Sequence, residues 1–307
     1  KRPYDNSPGL PISWEYKDFM PGKNEVVWVE NRLNAPLEVK KAFQFLHSND
    51  PRTKRDGEGY IPSDQLYVLS PDSQKINFKK AKRFTRSEMM VMEMLSTNEW
   101  QRPIYFAVTI GSDYHLGLDP YLELTGLAYR ITPERSQDGR PRVNTEVMYD
   151  NMLHKFKYGN MNIPGIYIDE NTMRMCRTHR MMFMELVEAL YNEGKHDKCL
   201  ETLDFAEKML PGYNIPYDYT SATMASYYYQ LGEMEKGNAI MTKVADNCAE
   251  YLAWGASLDK EHRASSQSTT GHYMAVMGYV LQNFERYQQK ELFNHYYDIY
   301  VQYASMR

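Results

Sequence analysis

The chain has 307 residues, with 36 Lys and Arg against 40 Asp and Glu, a net charge of −4. That length holds one large domain or two ordinary ones, and a pI near 6.1 argues against a general nucleic-acid binder, which carries a basic excess. Hydrophobic content of 42%, charged content of 25% and a mean hydropathy of −0.66 describe a soluble, folded protein; the longest apolar run, about residues 103–111, is well short of the ~20 residues of a membrane-spanning helix.

Residues 1–25 contain Pro3, Pro8, Pro11 and Pro21 with Gly9 and Gly22, which predicts an extended, turn-rich segment. Lys1, Arg2 and Pro3 lead into polar sequence with neither an initiator Met nor a secretory signal, so a processed form or an excised piece is expected. Residues 26–29 are β-branched and aromatic and predict a short buried strand. Pro36 suits a first helical position with Asn34 near the cap, and Leu37, Phe43 and Leu46 continue at helical spacing until Asn49-Asp50-Pro51. Residues 51–59 are charged and Gly-bearing, hence a loop. Residues 66–69 and 75–78 predict two strands about the turn 70–73. Thr85 with Glu88 three residues on is a capping box, opening a helix to about Asn98. Residues 103–109 form the strongest strand pattern, ended by Gly111. A second strand, 127–131, stops at Pro133, and 134–142 is a polar hairpin or loop about Asp138-Gly139. The reading is α+β: a mixed α/β domain over residues 1–165.

From about Asn171 the pattern becomes helical, with breaks near 211–216 and 258–270, giving an all-α domain over 166–307. Phe183, Leu186, Val187 and Leu190 form one apolar face; Gly194 turns the chain; Cys199, Leu203 and Ala206 follow. Met224, Ala225 and Tyr228 before Gly232, with Gly237, Met241 and Val244 after it, repeat the arrangement. The two turn glycines lie 38 residues apart, against the ~34 of a tetratricopeptide repeat. A third, degraded unit runs through Met277, Val280, Phe284, Phe293 and Tyr296, with a loop inserted at 257–270. Such pairs cannot hide their apolar faces alone, so stacking them builds one core. An ordinary helical bundle is the alternative.

The chemistry-bearing motifs are mostly missing: no P-loop, no G-x-G-x-x-G, no H-E-x-x-H, no G-x-S-x-G. Cys176, Cys199 and Cys248 are odd in number, widely spaced, and read as buried hydrophobes. Asp113, His115 and Asp119 follow the strongest strand; their spacing matches no metal signature, and capping or loop hydrogen bonding is the favoured reading over a metal or acid–base role. His179 and His196 read as packing or surface residues. No catalytic residue, cofactor or metal is assigned. Two candidate surfaces remain. Lys75, Lys79, Lys80, Lys82, Arg83 and Arg86 form a stretch without an acid, suited to anionic headgroups or glycans, or simply a solvated connection. In the repeat register, Glu188, Tyr191, Tyr219, Ser226 and Tyr229 share the concave side, where tyrosine rings suit sugar faces or extended peptide, or pack against a neighbouring repeat.

Residues 11–19 (PISWEYKDF), 28–32 (WVENR), 100–107 (WQRPIYFA), Leu116-Gly117-Leu118 with Tyr121-Leu122, and 126–130 (GLAYR) together resemble the C-terminal soluble portion of a bacterial family of multi-pass membrane proteins. That family is of unknown function or related to protein O-mannosyltransferases, the membrane-embedded class that uses lipid-linked sugars. The resemblance implies a periplasmic, non-catalytic tail on the inner membrane, with sugar-transfer residues elsewhere in the parent protein. It implies as partners the parent's own transmembrane region, a protein or glycan acceptor, and a membrane surface. A free-standing helical-repeat adaptor or glycan-binding protein of the cell envelope is the alternative, and a soluble hydrolase a weaker third.

Overall fold

The computed structural model describes residues 26–304; the Pro-rich segment 1–25, including the family-like stretch 11–19, lies outside them. The chain divides into two compact units, the first ending at Asn144 and the second beginning at Thr145. The expected domain boundary at 165/166 lies beyond this division, and the short helical segment 145–155 opens the second unit.

The first unit is β-rich, built from several small sheets around one core. Strand β1 (Val26–Trp28) pairs antiparallel with β7 (Arg83–Thr85). Strand β2 (Leu37–Glu38) runs parallel to β5 (Leu66–Leu69), which forms a hairpin with β6 (Lys75–Asn77) across the expected turn. Helix α1 (Val39–His47) thus starts three residues after Pro36, because Leu37 and Glu38 are drawn into the sheet instead of opening the helix. Within the expected loop 51–59, β3 (Lys54–Arg55) and β4 (Glu58–Gly59) form a minimal hairpin around Asp56-Gly57, both at positive φ. Helix α2 (Arg86–Asn98) begins at the capping box: Thr85 Oγ1 accepts from Glu88 N, and Glu88 Oε2 accepts from Thr85 N.

The strongest predicted strand is shorter than its pattern. Only β8 (Tyr105–Ala107) pairs, with β10 (Ala128–Ile131). Two further strands, β9 (Leu122–Leu124) and β11 (Arg142–Val143), complete the sheet in the order β11-β9-β10-β8, with β11 parallel to β9. Both are two or three residues long and carry too little alternation to be read from sequence. Val39, Phe43, Leu66, Phe84, Met89 and Phe106 are among the residues of the common core. Met89 and Met92 share its helical side, as their spacing requires.

The second unit is all-helical. Helix α3 (Thr145–Tyr149) continues as a π-turn through Asp150–Lys155. Then come α4 (Glu170–Asn192), α5 (His196–Met209), α6 (Tyr219–Gln230), α7 (Met234–Ser257), α8 (Lys260–Ser265), α9 (Gln267–Arg286) and α10 (Lys290–Ala304). Asp169 and Asp218 cap α4 and α6. Gly194 and Gly232 supply the left-handed residue of the turns after α4 and α6, at φ +72° and +85°. Helix α4 packs on α5 and α6, α6 on α7 and α9, and α7 on α9 and α10. The loop expected over 257–270 is a correction: α8 occupies part of it, capped by Asp259, and α9 starts at Gln267. Its Ser/Thr-rich composition is overridden where Thr270 packs against Gly255 of α7, which has no space for a Cβ.

One interior polar group organises the α5–α6 connection. Arg180 is 3% exposed. Its Nη1 donates to Pro216 O at 2.9 Å, and its Nη2 donates to Leu210 O at 3.0 Å and Ile215 O at 2.8 Å. Burial pushes its pKa down, opposed chiefly by Asp218, whose carboxylate is 3.9 Å away. A single guanidinium therefore satisfies carbonyls that no helix reaches.

Candidate binding face of the helical unit

The expected tyrosine face is present in part, with its register displaced. Helix α6 presents Tyr219, Thr223 and Tyr227 at i, i+4 and i+8, with Tyr219 exposed and the other two half-buried. Ser226 and Tyr229, expected on the open side, are buried. Ser226 Oγ donates to Thr223 O, and Tyr229, 1% exposed, donates its hydroxyl to Asn238 Oδ1 at 2.7 Å. The reason is that α6 has α4, α5, α7 and α9 around it, so its buried arc is wide. Gly237 on α7 closes over the Tyr229 ring.

Glu188 is exposed and Tyr191 half-buried, both on α4. The Tyr191 ring lies 5.4 Å from Tyr227, edge to face, and 5.0 Å from His196, stacked. Tyr219 lies 5.1 Å from Tyr279 of α9. Burial pushes the Tyr227 hydroxyl up to about 12, with Glu188 the next contributor and Tyr279 and Tyr191 also adding. Tyr287 rises by burial against the pull of Arg286. The face thus spans three helices: neutral phenols beside one carboxylate. Tyr227 and Tyr279 are the residues that sequence reasoning missed. A four-residue step from Tyr219 through Thr223 reaches Tyr227, and that was the available signal.

The basic stretch is exposed throughout, but it draws partners from elsewhere. Lys79 Nζ donates to Asp113 O at 2.6 Å and lies 3.3 Å from Glu88. Lys80 is 3.9 Å from Asp64, Lys75 lies over the Tyr67 ring, and Arg83 lies over Trp28. Lys82 and Arg86 complete it. His115 is the buried member of the strand-end trio: its Nδ1 is 2.8 Å from Asp119 Oδ1, and its ring stacks on Phe106 and meets Tyr129 edge-on. Nε2 is buried without a hydrogen-bond partner, so the ring is tied into the loop through Nδ1. Among the described residues no cluster of His, Cys, Asp or Glu could hold a metal ion. All three cysteines are buried and unpaired, with Cys199 and Cys248 pushed up to about 12 by burial, far from reactive thiolates.

The fold and face define a two-unit α+β protein with a helical array carrying an aromatic surface. Residues 64–148 match the family described as TMEM260-associated domain 2, consistent with a domain of a TMEM260-like membrane protein. No curated protein and no solved structure matches the chain. Among the described residues no helix is long and apolar enough to cross a membrane.

Proposed function

We propose that the chain is a non-catalytic, extramembrane domain of a TMEM260-like membrane protein, and that its helical unit binds an acceptor protein or glycan through Glu188, Tyr191, Tyr219, Tyr227 and Tyr279. The observation that carries this reading is the pairing of tyrosines across α4, α6 and α9. Tyrosine supplies broad, rigid contact area with a polar tip at small entropic cost. The helix pairs α4–α5, α6–α7 and α9–α10, turned at Gly194 and Gly232, support a tetratricopeptide-like stack. In this reading the parent is a lipid-linked-sugar glycosyltransferase of the protein O-mannosyltransferase type, the domain faces the periplasm, and bond-making occurs in the parent's membrane part. A free-standing glycan-binding adaptor shares the same face but has no membrane-spanning segments in its gene.

The test is a peptide and glycan binding screen, repeated with Tyr191→Ala, Tyr219→Ala and Tyr227→Ala. Loss of affinity by about tenfold or more in each supports the face. Tyr287→Ala serves as a neighbouring comparison. A ligand bound equally well by all three variants removes the face from the proposal, and turnover by the chain removes the non-catalytic role.

A further inference from the structure

A concavity lies in the helical unit, outside the tyrosine face. The last two turns of α7, the short α8, and the start of α9 enclose an open crevice of about 560 Å³. Leu252, Ala256, Ala264 and Met274 give it a mostly apolar lining, and Lys260 and Arg263 are its charged residues. Tyr303 of α10 also lines it, and among the described residues no carboxylate does. Of the two acids beside Lys260, Asp259 is engaged by His262 at 2.8 Å and caps α8, and Glu261 lies on α8 outside the lining. Arg263 Nη2 donates to Ala256 O at 2.9 Å and Leu258 O at 3.0 Å, so one cation is fixed at the end of α7 while Lys260 is held on the same short helix. Tyr251 and Trp254 on those same turns of α7 are 45% and 46% exposed.

A mostly apolar slot whose charged lining, among the described residues, is two cations is complementary to a molecule with an apolar body and an anionic end. It disfavours a neutral saccharide, which would leave the ammonium and guanidinium without a counter-charge, and it disfavours a cation. Exposed Tyr and Trp are the residues that settle at a membrane–water interface. We infer that this crevice binds an anionic membrane lipid, its headgroup at Lys260 and Arg263 and its acyl chain against Leu252, Ala256, Ala264 and Met274. The contact is peripheral, and it is independent of the acceptor reading of the tyrosine face.

The experiment is co-sedimentation of the 307-residue chain with phosphatidylcholine vesicles, with and without phosphatidylglycerol. Binding is expected only to the anionic vesicles. Lys260→Glu should weaken it by about tenfold or more, since one attractive charge becomes repulsive. Ala264→Gln narrows the crevice from an exposed position without adding an interface-seeking ring, keeps both cations, and should also weaken binding by about tenfold or more while leaving the melting transition in place. A third variant, Lys82→Glu with Arg83→Glu, alters the basic stretch of the other unit and should leave the affinity within a few-fold of the parent. No binding to anionic vesicles overturns the inference. So does binding that survives Ala264→Gln, which would mean surface charge alone, or binding lost only with the Lys82 and Arg83 changes. Binding of a soluble alkyl phosphate without vesicle binding would assign the crevice to a free amphiphile and overturn the membrane source.

Discussion

Replacing Arg180 with Met keeps much of the side-chain volume and removes the fork that holds residues 210–216. Three hydrogen bonds to carbonyls are lost, at 2.8 to 3.0 Å. Hydrogen bonds from a charged donor contribute roughly 1.5–3 kcal/mol each. Against that gross loss stands the several kcal/mol it cost to bury the guanidinium, which Met does not incur. Some freed carbonyls of the connection will also find water. The net expectation is about 3 kcal/mol of destabilisation in the helical unit. Arg180→Lys keeps the charge without the planar fork and should recover less than half of it. Urea denaturation followed on the helical signal measures the total, because the two units need not unfold together. Amide exchange locates it: residues 210–218 should lose protection before the helix interiors. A loss under about 1 kcal/mol, with unchanged exchange in that connection, would refute the claim that Arg180 organises it.

Gly237→Ala places a Cβ about 2.5 Å from the Tyr229 ring, so roughly 1–3 kcal/mol of stability should be lost; an unchanged melting temperature would show that α6 and α7 separate freely. Glu146 is paired with Lys195 and Lys198, each at 2.7 Å, and these hold its carboxyl well below the usual glutamate value, at about 2. Its folded-state pKa is depressed, so its contribution is full above the usual value near 4.5 and lost as pH falls through about 2. A carbon-detected titration of Glu146 should show that low midpoint, and Lys195→Ala should move it upward. The buried thiols of Cys199 and Cys248 should stay unlabelled by a disulfide reagent at pH 8 until the chain is denatured; fast labelling of the native chain would contradict their burial.

Local chemistry was legible where it acts within a few residues. The capping box at Thr85 and Glu88, the hairpin of β5 and β6, the strand at Val26 and the turn glycines 194 and 232 follow from neighbouring residues alone. The division into a β-rich half and a helical half was legible too, because hydrophobic period is a local property summed over a window. The short strands β2, β9 and β11 were not. Each is two or three residues long, too short for a period to announce it, and β2 and β11 also take their hydrogen bonds from partners distant in the chain.

The candidate face shows the same limit. That tyrosines of α4 and α6 would share a surface is implied by helical spacing. Which tyrosine of the run 227–229 faces outward is not, since the answer depends on four helices around α6 and on Gly237 admitting the Tyr229 ring. Likewise only in space do the Asp64 and Glu88 carboxylates and the Asp113 carbonyl come beside the lysines of the acid-free stretch. Sequence alone determined which segments would be helix or strand wherever a pattern ran long enough to bias the backbone. Tertiary structure alone decided register, partner choice and exposure, because burial is a property of everything a side chain touches and not of its neighbours in the chain.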